Sequence, residues 1–266
     1  QTLTLAMDLR KELIRDALVT LLEPKSIVLR NDSPFRKAEG MEPGIEMLYG
    51  ENPGAFVVRA NDLDFEIDLF DGQKTGLYLD QLQSHAEVAK LAKGKRVLDC
   101  FTNQGGFALA CAKAGAAKVT AVDVSATACE AARKNAALNG VEIEVIEHNV
   151  FDFLKHAEPQ YDLIILDPPS FTRNKKTLMD AMRGYKEIHL RSLKLLEKGG
   201  ILSTFCCSHH ASRELFLENL AEASVDAKKN LRLLDEHGQR ADHPVLITIP
   251  ETGYLKGFTV EVIATR

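Results

Sequence analysis

Two aspartates twenty-four positions apart, each closing an apolar run, mark where this chain is equipped to do chemistry. Asp99 lies in KRVLDCFTNQGGF (95–107), where a glycine-bearing turn leads into a helical pattern. Asp123 ends KVTAVD and is followed by Val124. In a doubly wound sheet such a pair suits an adenosine-containing ligand. Small residues let the ligand approach the backbone, and the second acid accepts hydrogen bonds from a ribose diol. The turn reads D-x-F-x-x-x-G-G-F, not G-x-G-x-x-G, so it offers no dense cluster of amides to a pyrophosphate. A ligand without phosphates fits better, and S-adenosyl-L-methionine is of that kind. The plainer alternative is that Gly105 and Gly106 serve only close strand-to-helix packing.

Two further strand ends carry reactive side chains. LIIL (163–166) runs into Asp167-Pro168-Pro169-Ser170-Phe171. The prolines remove two amide donors and stiffen the turn, which presents the carboxylate in one orientation. A carboxylate so held can hydrogen-bond a nucleobase amino group or ring nitrogen; a rigid turn that merely begins with Asp is the alternative. The next apolar run ends in Cys206-Cys207-Ser208. A thiolate that adds to carbon-6 of a pyrimidine gives carbon-5 enamine character, which opens that carbon to methylation. Side chains alternate along a strand, so only one of the two cysteines can face a cleft. Two small residues finishing a buried strand would look the same. The run CCSHH also crowds metal-ligand types together, but metal sites draw on separated pairs and no second pair occurs, so no metal is expected. Arg173, Lys175 and Lys176 follow the Asp-Pro-Pro turn as a basic loop suited to phosphates.

These residues need a scaffold that delivers strand ends to one edge. From residue 79 the pattern alternates, with helices expected over 80–92, 105–114, 125–138, 150–157, 176–197 and 211–226. Strands are expected over 96–100, 118–123, 141–147, 161–166 and 200–206. Short apolar strands suit a parallel sheet covered on both faces, and open sheets of that kind bind ligands beyond the carboxyl ends of their strands. Strands near 230–234 and 257–264 would close the sheet as an antiparallel hairpin. The first quarter reads as a small α+β unit, with an amphipathic helix over 8–22 carrying Leu9, Leu13, Ile14, Ala17, Leu18 and Leu21 on one side. The expected architecture is α/β: a seven-stranded, mostly parallel Rossmann-like sheet over 73–266, preceded by an α+β accessory domain over 1–72.

Composition narrows the function classes. With 45% hydrophobic and 27% charged residues the chain is an ordinary globular protein. No apolar stretch is long enough to cross a bilayer and nothing resembles a signal peptide, so no membrane partner is expected. A net charge of −5 is a poor global footprint for nucleic acid, so RNA would need local basic patches or a separate domain. Five cysteines, an odd count without a secretory signal, point to a reducing cytoplasm.

Assembled, these segments resemble the bacterial class I methyltransferases that modify cytosine-5 of large-subunit (23S) ribosomal RNA. The resemblance spans nearly the whole chain. It rests on GQKTGLYLDQ (72–81), DCFTNQGGF, VDVS at Asp123, DPPSF at Asp167, the Cys207-Ser208 pair, and DHP…PETGYLKGF near the end. GQKTGxYLDQ is highly specific, whereas DPPSF is shared with several methyltransferase groups. The resemblance implies S-adenosyl-L-methionine as cofactor and 23S rRNA as partner, and leaves a homodimer open. By it, Asp99, Phe101, Asn103 and Gly105 surround the methionine and sulfonium part of the cofactor. Asp123, with Val124 beside it, binds the ribose. Lys74, Thr75 and Tyr78 belong to a loop that closes over the cofactor. Asn149 stands where relatives often have an acid that contacts the adenine amino group. Cys207 aligns with the nucleophile and Asp167 orients the base, with Pro168, Ser170, Phe171, Arg173 and Lys175 on the substrate side. Leu82 departs from an arginine common in relatives. Such proteins usually begin with a small RNA-binding PUA domain, whereas this sequence starts inside the region that follows it: either a leading segment belongs before Gln1 or this member finds its RNA differently. The alternatives are N-methylation of a base exocyclic amine, a non-catalytic RNA-binding or ribosome-assembly factor that kept the fold, and a dinucleotide dehydrogenase.

Overall fold

The structure is a computed structural model and describes residues 1–70, 76–172 and 175–265. Its chain divides into two units, Gln1–Val58 with Glu66–Tyr78, and Arg59–Phe65 with Leu79–Arg266. The expected boundary after residue 72 falls outside the described residues.

In the first unit the amphipathic pattern folds as two pieces, α1 (Leu5–Asp8) and α2 (Lys11–Leu22). The packed face differs from the expected one. Ile14, Leu18 and Val19 are half-buried, while Leu9, Leu13 and Leu21 remain exposed. β1 (Ser26–Asn31) pairs antiparallel with β2 (Gly44–Gly50). Buried Arg36 organises the start of the chain: its guanidinium donates to the Thr2 carbonyl, to Glu42 O at 3.1 Å and to Asp8 Oδ1 at 2.9 Å. That ion pair holds the Asp8 carboxyl below the usual range. β3 (Ala55–Ala60) and β4 (Leu63–Asp68) form a separate two-stranded ribbon, whose residues 59–65 are counted with the second unit. Its connection, Asn61-Asp62, has φ of 50° and 61°, the twin left-handed residues that a tight hairpin turn requires.

The second unit carries the sheet. A 3-10 turn, Leu79–Gln81, leads into α3 (Leu82–Ala89), where the pattern suggested one unbroken helix. Then follow β5 (Arg96–Cys100), α4 (Gly106–Lys113), β6 (Lys118–Asp123), α5 (Ala126–Leu138), β7 (Glu144–Glu147), α6 (Val150–His156) and β8 (Leu163–Leu166). After them come α7 (Leu178–Leu195), β9 (Ile201–Cys206), α8 (Arg213–Asp226), β10 (Lys229–His237) and β11 (Lys256–Thr265). β7 is shorter than its apolar run because its pairing with β6 begins only at Thr120↔Glu144. The strand order is β10-β11-β9-β8-β5-β6-β7, parallel from β7 through to β9 and antiparallel for the final hairpin.

Burial explains the uninterrupted apolar strands. Val97, Leu163, Ile165 and Phe205 face α3 and α4 on one side of the sheet. Leu98, Cys100, Ile164, Leu166 and Cys206 face α6, α7 and α8 on the other. Winding runs outward in both directions from the β5–β8 pair, so the chain's crevice lies beyond the carboxyl ends of those two strands. Gly257, beside β9 in β11, is required by close approach: a Cβ there would lie 2.5 Å from the Phe205 ring. Substitution Gly257→Ala should therefore destabilise the fold by about 1–3 kcal/mol through overpacking. Chemical denaturation of the two proteins checks this, and equal midpoints would show that Phe205 simply moves aside.

Candidate active site

Backbone sterics shape the loop after β5. Phe101, Asn103 and Gly105 take φ of 63°, 49° and 88°, so every second residue is left-handed and the chain turns sharply into α4. Such conformations are costly for a bulky residue and persist only when the surroundings enforce them. Thr102 N donates to Val122 O at 3.1 Å, and Gly105 N to Thr102 O at 2.8 Å. From α5, Asn135 Nδ2 donates to Gln104 O at 3.1 Å.

Asp99 anchors this loop from inside. Its Oδ2 accepts from Thr102 Oγ1 at 2.7 Å and from Ala108 N at 3.0 Å, while Oδ1 is buried with no protein partner. Burial pushes the carboxyl up to about 7, and the two hydrogen bonds oppose that shift. Asp123 is held differently: Oδ2 accepts from Asn103 N and Oδ1 from Ser125 N, both at 2.9 Å. One amide on each oxygen fixes the carboxylate and leaves it further acceptor capacity. Beside it Val124 is 66% exposed, an apolar side chain standing in solvent at the strand tip.

Both glycines of the turn are explained by packing and backbone conformation. A Cβ on Gly105 would meet Leu109 at 3.3 Å, and one on Gly106 would meet the His85 ring at 2.4 Å. Close packing thus accounts for Gly106, while at Gly105 the left-handed φ of 88° adds to a milder contact. Asn149 also departs from expectation. Its side-chain oxygen accepts from Phe151 N and Asp152 N at 2.9 and 3.3 Å, capping α6 and spending the acceptor expected for adenine.

At the end of β8, Asp167 Oδ1 accepts from Gln81 Nε2 at 3.0 Å. Pro168 is buried, and Pro169 and Ser170 are exposed, with the Ser170 hydroxyl turned back onto Thr172 O at 2.7 Å. Phe171, expected on the substrate side, is half-buried and packs against the core. Its ring lies 4.7 Å from Tyr185 and 5.8 Å from Phe151, and plugs the turn into the core. The two cysteines separate as alternation requires. Cys206 is fully buried, whereas Cys207 is half-buried and its thiol donates to Pro168 O at 3.9 Å. Cys100, Cys111 and Cys129 are buried, and burial pushes the first two thiols far above the ordinary value. Cys207 is therefore the accessible thiol.

Lys74, Thr75 and Arg173 lie outside the described residues; Lys175 opens the 3-10 turn Lys175–Thr177, and Tyr78 is half-buried in the first unit. Three partners escaped the residue-by-residue reading although their motifs were noticed. Gln81 holds Asp167, Tyr254 donates its hydroxyl to Asp80 Oδ2 at 2.6 Å, and Lys256 donates to Ser208 O and Ala211 O. Their membership in LDQ and GYLKG was the available signal. Among the described residues no group of three His, Cys, Asp or Glu side chains could hold a metal ion. A cavity of about 330 Å³ lies at the opposite edge, lined by Lys93–Arg96, Tyr161 and Gly199 before their strands begin, away from every reactive group above.

A family model described as S-adenosylmethionine-dependent methyltransferase matches residues 35–241. The chain belongs to that family. It is 39% identical over 267 residues to the ribosomal RNA large subunit methyltransferase I of Aeromonas salmonicida, covering 98% of this chain and 67% of that protein. The Shigella boydii protein of the same name is 37% identical over 270 residues, with 99% and 68% covered. The chain thus spans about two thirds of the length of these relatives. Among solved structures it is similar to a protein described as a SAM-dependent methyltransferase from Streptococcus mutans, at TM-score 0.73 and 27% identity, covering 82% of this chain and 58% of that one. Another, described as a methyltransferase complexed with SAH, aligns at TM-score 0.71 and 28% identity over 82% and 59%. The architecture is accordingly the class I methyltransferase α/β fold.

The residues present fit the family's cofactor. Asp99 Oδ1 is a buried acceptor lacking a donor, beneath a loop whose amide face is fixed. Asp123 retains acceptor capacity for a diol, and Val124 offers an apolar surface next to it.

The raised Asp99 pKa has a consequence for stability. A carboxyl raised on folding stabilises most below its unfolded value near 3.8 and loses that contribution as pH rises through about 7. His85 and His189, pushed down to about 4 by burial, act oppositely: their contribution is present above 6.5 and lost as pH falls through about 4. Comparison with Asp99→Asn cancels the histidines. The melting temperature of the variant minus that of the wild type should grow from roughly pH 4 to pH 8, and scanning calorimetry showing a constant difference would contradict the assignment.

Proposed function

We propose that this protein methylates carbon-5 of a cytosine in large-subunit ribosomal RNA through a covalent adduct of Cys207. Residues 1–72 are an accessory domain in this reading and 73–266 carry the reaction. The observation that carries it is the accessible Cys207 thiol lying against the Asp167-Pro168 turn. Support comes also from the relatives' name, ribosomal RNA large subunit methyltransferase I.

Carbon-5 of cytosine is a poor nucleophile until the 5,6 double bond is polarised. Cys207, as thiolate, adds to carbon-6; the sulfur–carbon bond forms and the π pair moves to carbon-5. The thiol proton leaves to solvent. Asp167, one oxygen fixed by Gln81, accepts from the base amino group and holds the ring over the thiol. Bound S-adenosylmethionine supplies an electrophilic methyl group carried on a sulfonium. Asp99, Asn103 and Asp123, at the tips of β5 and β6, would hold that donor. Carbon-5, once its electron pair has formed the bond to the methyl group, loses its proton to solvent, which restores the 5,6 double bond and expels Cys207 as thiolate. The buried Pro168 and the exposed Pro169 and Ser170 wall the acceptor side, with Phe171 locking the turn from beneath.

Incubation with the cofactor and RNA containing 5-fluorocytosine should trap a protein–RNA adduct stable in denaturing gels. Fluorine cannot leave as the proton does, so the adduct persists. Cys207→Ala should form none and lose methyl transfer by at least about a hundredfold. Retention of full transfer by that variant, with methylated exocyclic amine as product, would show N-methylation instead. Asp123→Ala should weaken calorimetric binding of S-adenosylmethionine by about tenfold or more, the scale of losing one charge-assisted hydrogen bond. Unchanged affinity would move the ribose elsewhere.

A further inference from the structure

Lys256 opens β11 directly opposite Cys206, and the residue is only 7% exposed. Its Nζ donates to Ser208 O at 2.5 Å and to Ala211 O at 2.8 Å, two carbonyls of the loop that follows Cys207. Among the described residues no carboxylate pairs with this ammonium. Burying a cation costs several kcal/mol unless an anion or several dipoles answer it. Two carbonyl dipoles solvate the charge without neutralising it. Cys206 is the residue paired with it across the β9–β11 ladder, and Ser208, whose carbonyl it grips, directly follows Cys207. Cys206 is fully buried, so Cys207 is the one of the pair that a substrate can reach.

We propose that Lys256 is a positioning residue for Cys207: its buried ammonium pins the Ser208 and Ala211 carbonyls, so fixing the loop that presents the thiol, and supplies the positive charge against which the thiolate forms. The proposal rests on the reading of Cys207 as nucleophile.

Other groups around this thiol set the balance. Asp167, in the turn after β8, is the acid of this neighbourhood, and its Oδ1 accepts from Gln81 Nε2 at 3.0 Å. Tyr185 on α7 and Tyr254 in the loop before β11 both interact with Cys207, and burial raises both phenols so that they stay neutral. His209, two residues on, is exposed and faces the Tyr254 ring at 5.6 Å. Among the described residues named here Lys256 is the buried cation, and burial lowers its pKa from the ordinary lysine value.

The test is the pH dependence of iodoacetamide alkylation of Cys207 in the full chain, over roughly pH 6 to 10, with Cys207→Ala as the blank. The wild-type thiol should titrate below the ordinary value of about 8.5, and Lys256→Met should raise it by about one unit, slowing alkylation about tenfold at neutral pH. Trapping by 5-fluorocytosine RNA should slow in parallel. A wild-type thiol titrating at or above the ordinary value overturns the proposal without any variant, so a Lys256→Met chain that fails to fold does not protect it. Normal adduct formation with an unshifted thiol in Lys256→Met defeats the Lys256 role alone. Absence of any wild-type adduct defeats the Cys207 reading, whatever the titration shows.

Discussion

Everything at the ligand edge depends on β5 lying beside β8. The chain winds from β5 through β6 to β7 in one direction, and through β8 and β9 in the other. Loops after the central two strands therefore diverge and leave a crevice between them. Register makes the arrangement sharp: Cys100 opposes Leu166, which sets the Asp99 turn against the Asp167 turn. Both strands are buried on both faces, so slipping the register by one residue would reverse every side chain into the wrong core.

Around that crevice, a few buried polar ties connect motifs far apart in the chain. Gln81 reaches Asp167 across 86 residues, and Tyr254 reaches Asp80 across 174. Polar pairs in a low-dielectric interior are costly to break, so each tie restricts the site to one geometry. Asp99 is the exception, because one of its oxygens has no protein donor. In the proposed reading, the cofactor of this methyltransferase family would supply the missing donor.

Much of the sheet was legible because parallel strands covered on both faces must be short and wholly apolar. LIIL is the clearest instance, with all four residues buried. Legibility failed where the decision was local or shared between distant residues. The helix expected over 80–92 begins as a 3-10 turn, since Asp80 and Gln81 are drawn to partners that periodicity does not reveal. Phe171 sits in a motif suggestive of substrate contact, yet its ring packs beside Gly184 and Tyr185. Asn149 caps α6 and Gly105 takes the left-handed turn before α4, local roles that a strand-end pattern does not reveal.

By itself the chain's residue order determined the alternation of elements, the acids at the strand tips, and the fact that only one of two adjacent cysteines could face outward. Hydrophobic periodicity and strand alternation are properties of neighbouring residues, so they can be read along the line. Only the tertiary structure decided which cysteine remained accessible, which oxygen of Asp99 went without a donor, and that Lys256 buries its charge behind the Cys207 loop. Those outcomes depend on which strands become neighbours, and burial and hydrogen-bond supply are settled only when distant segments meet.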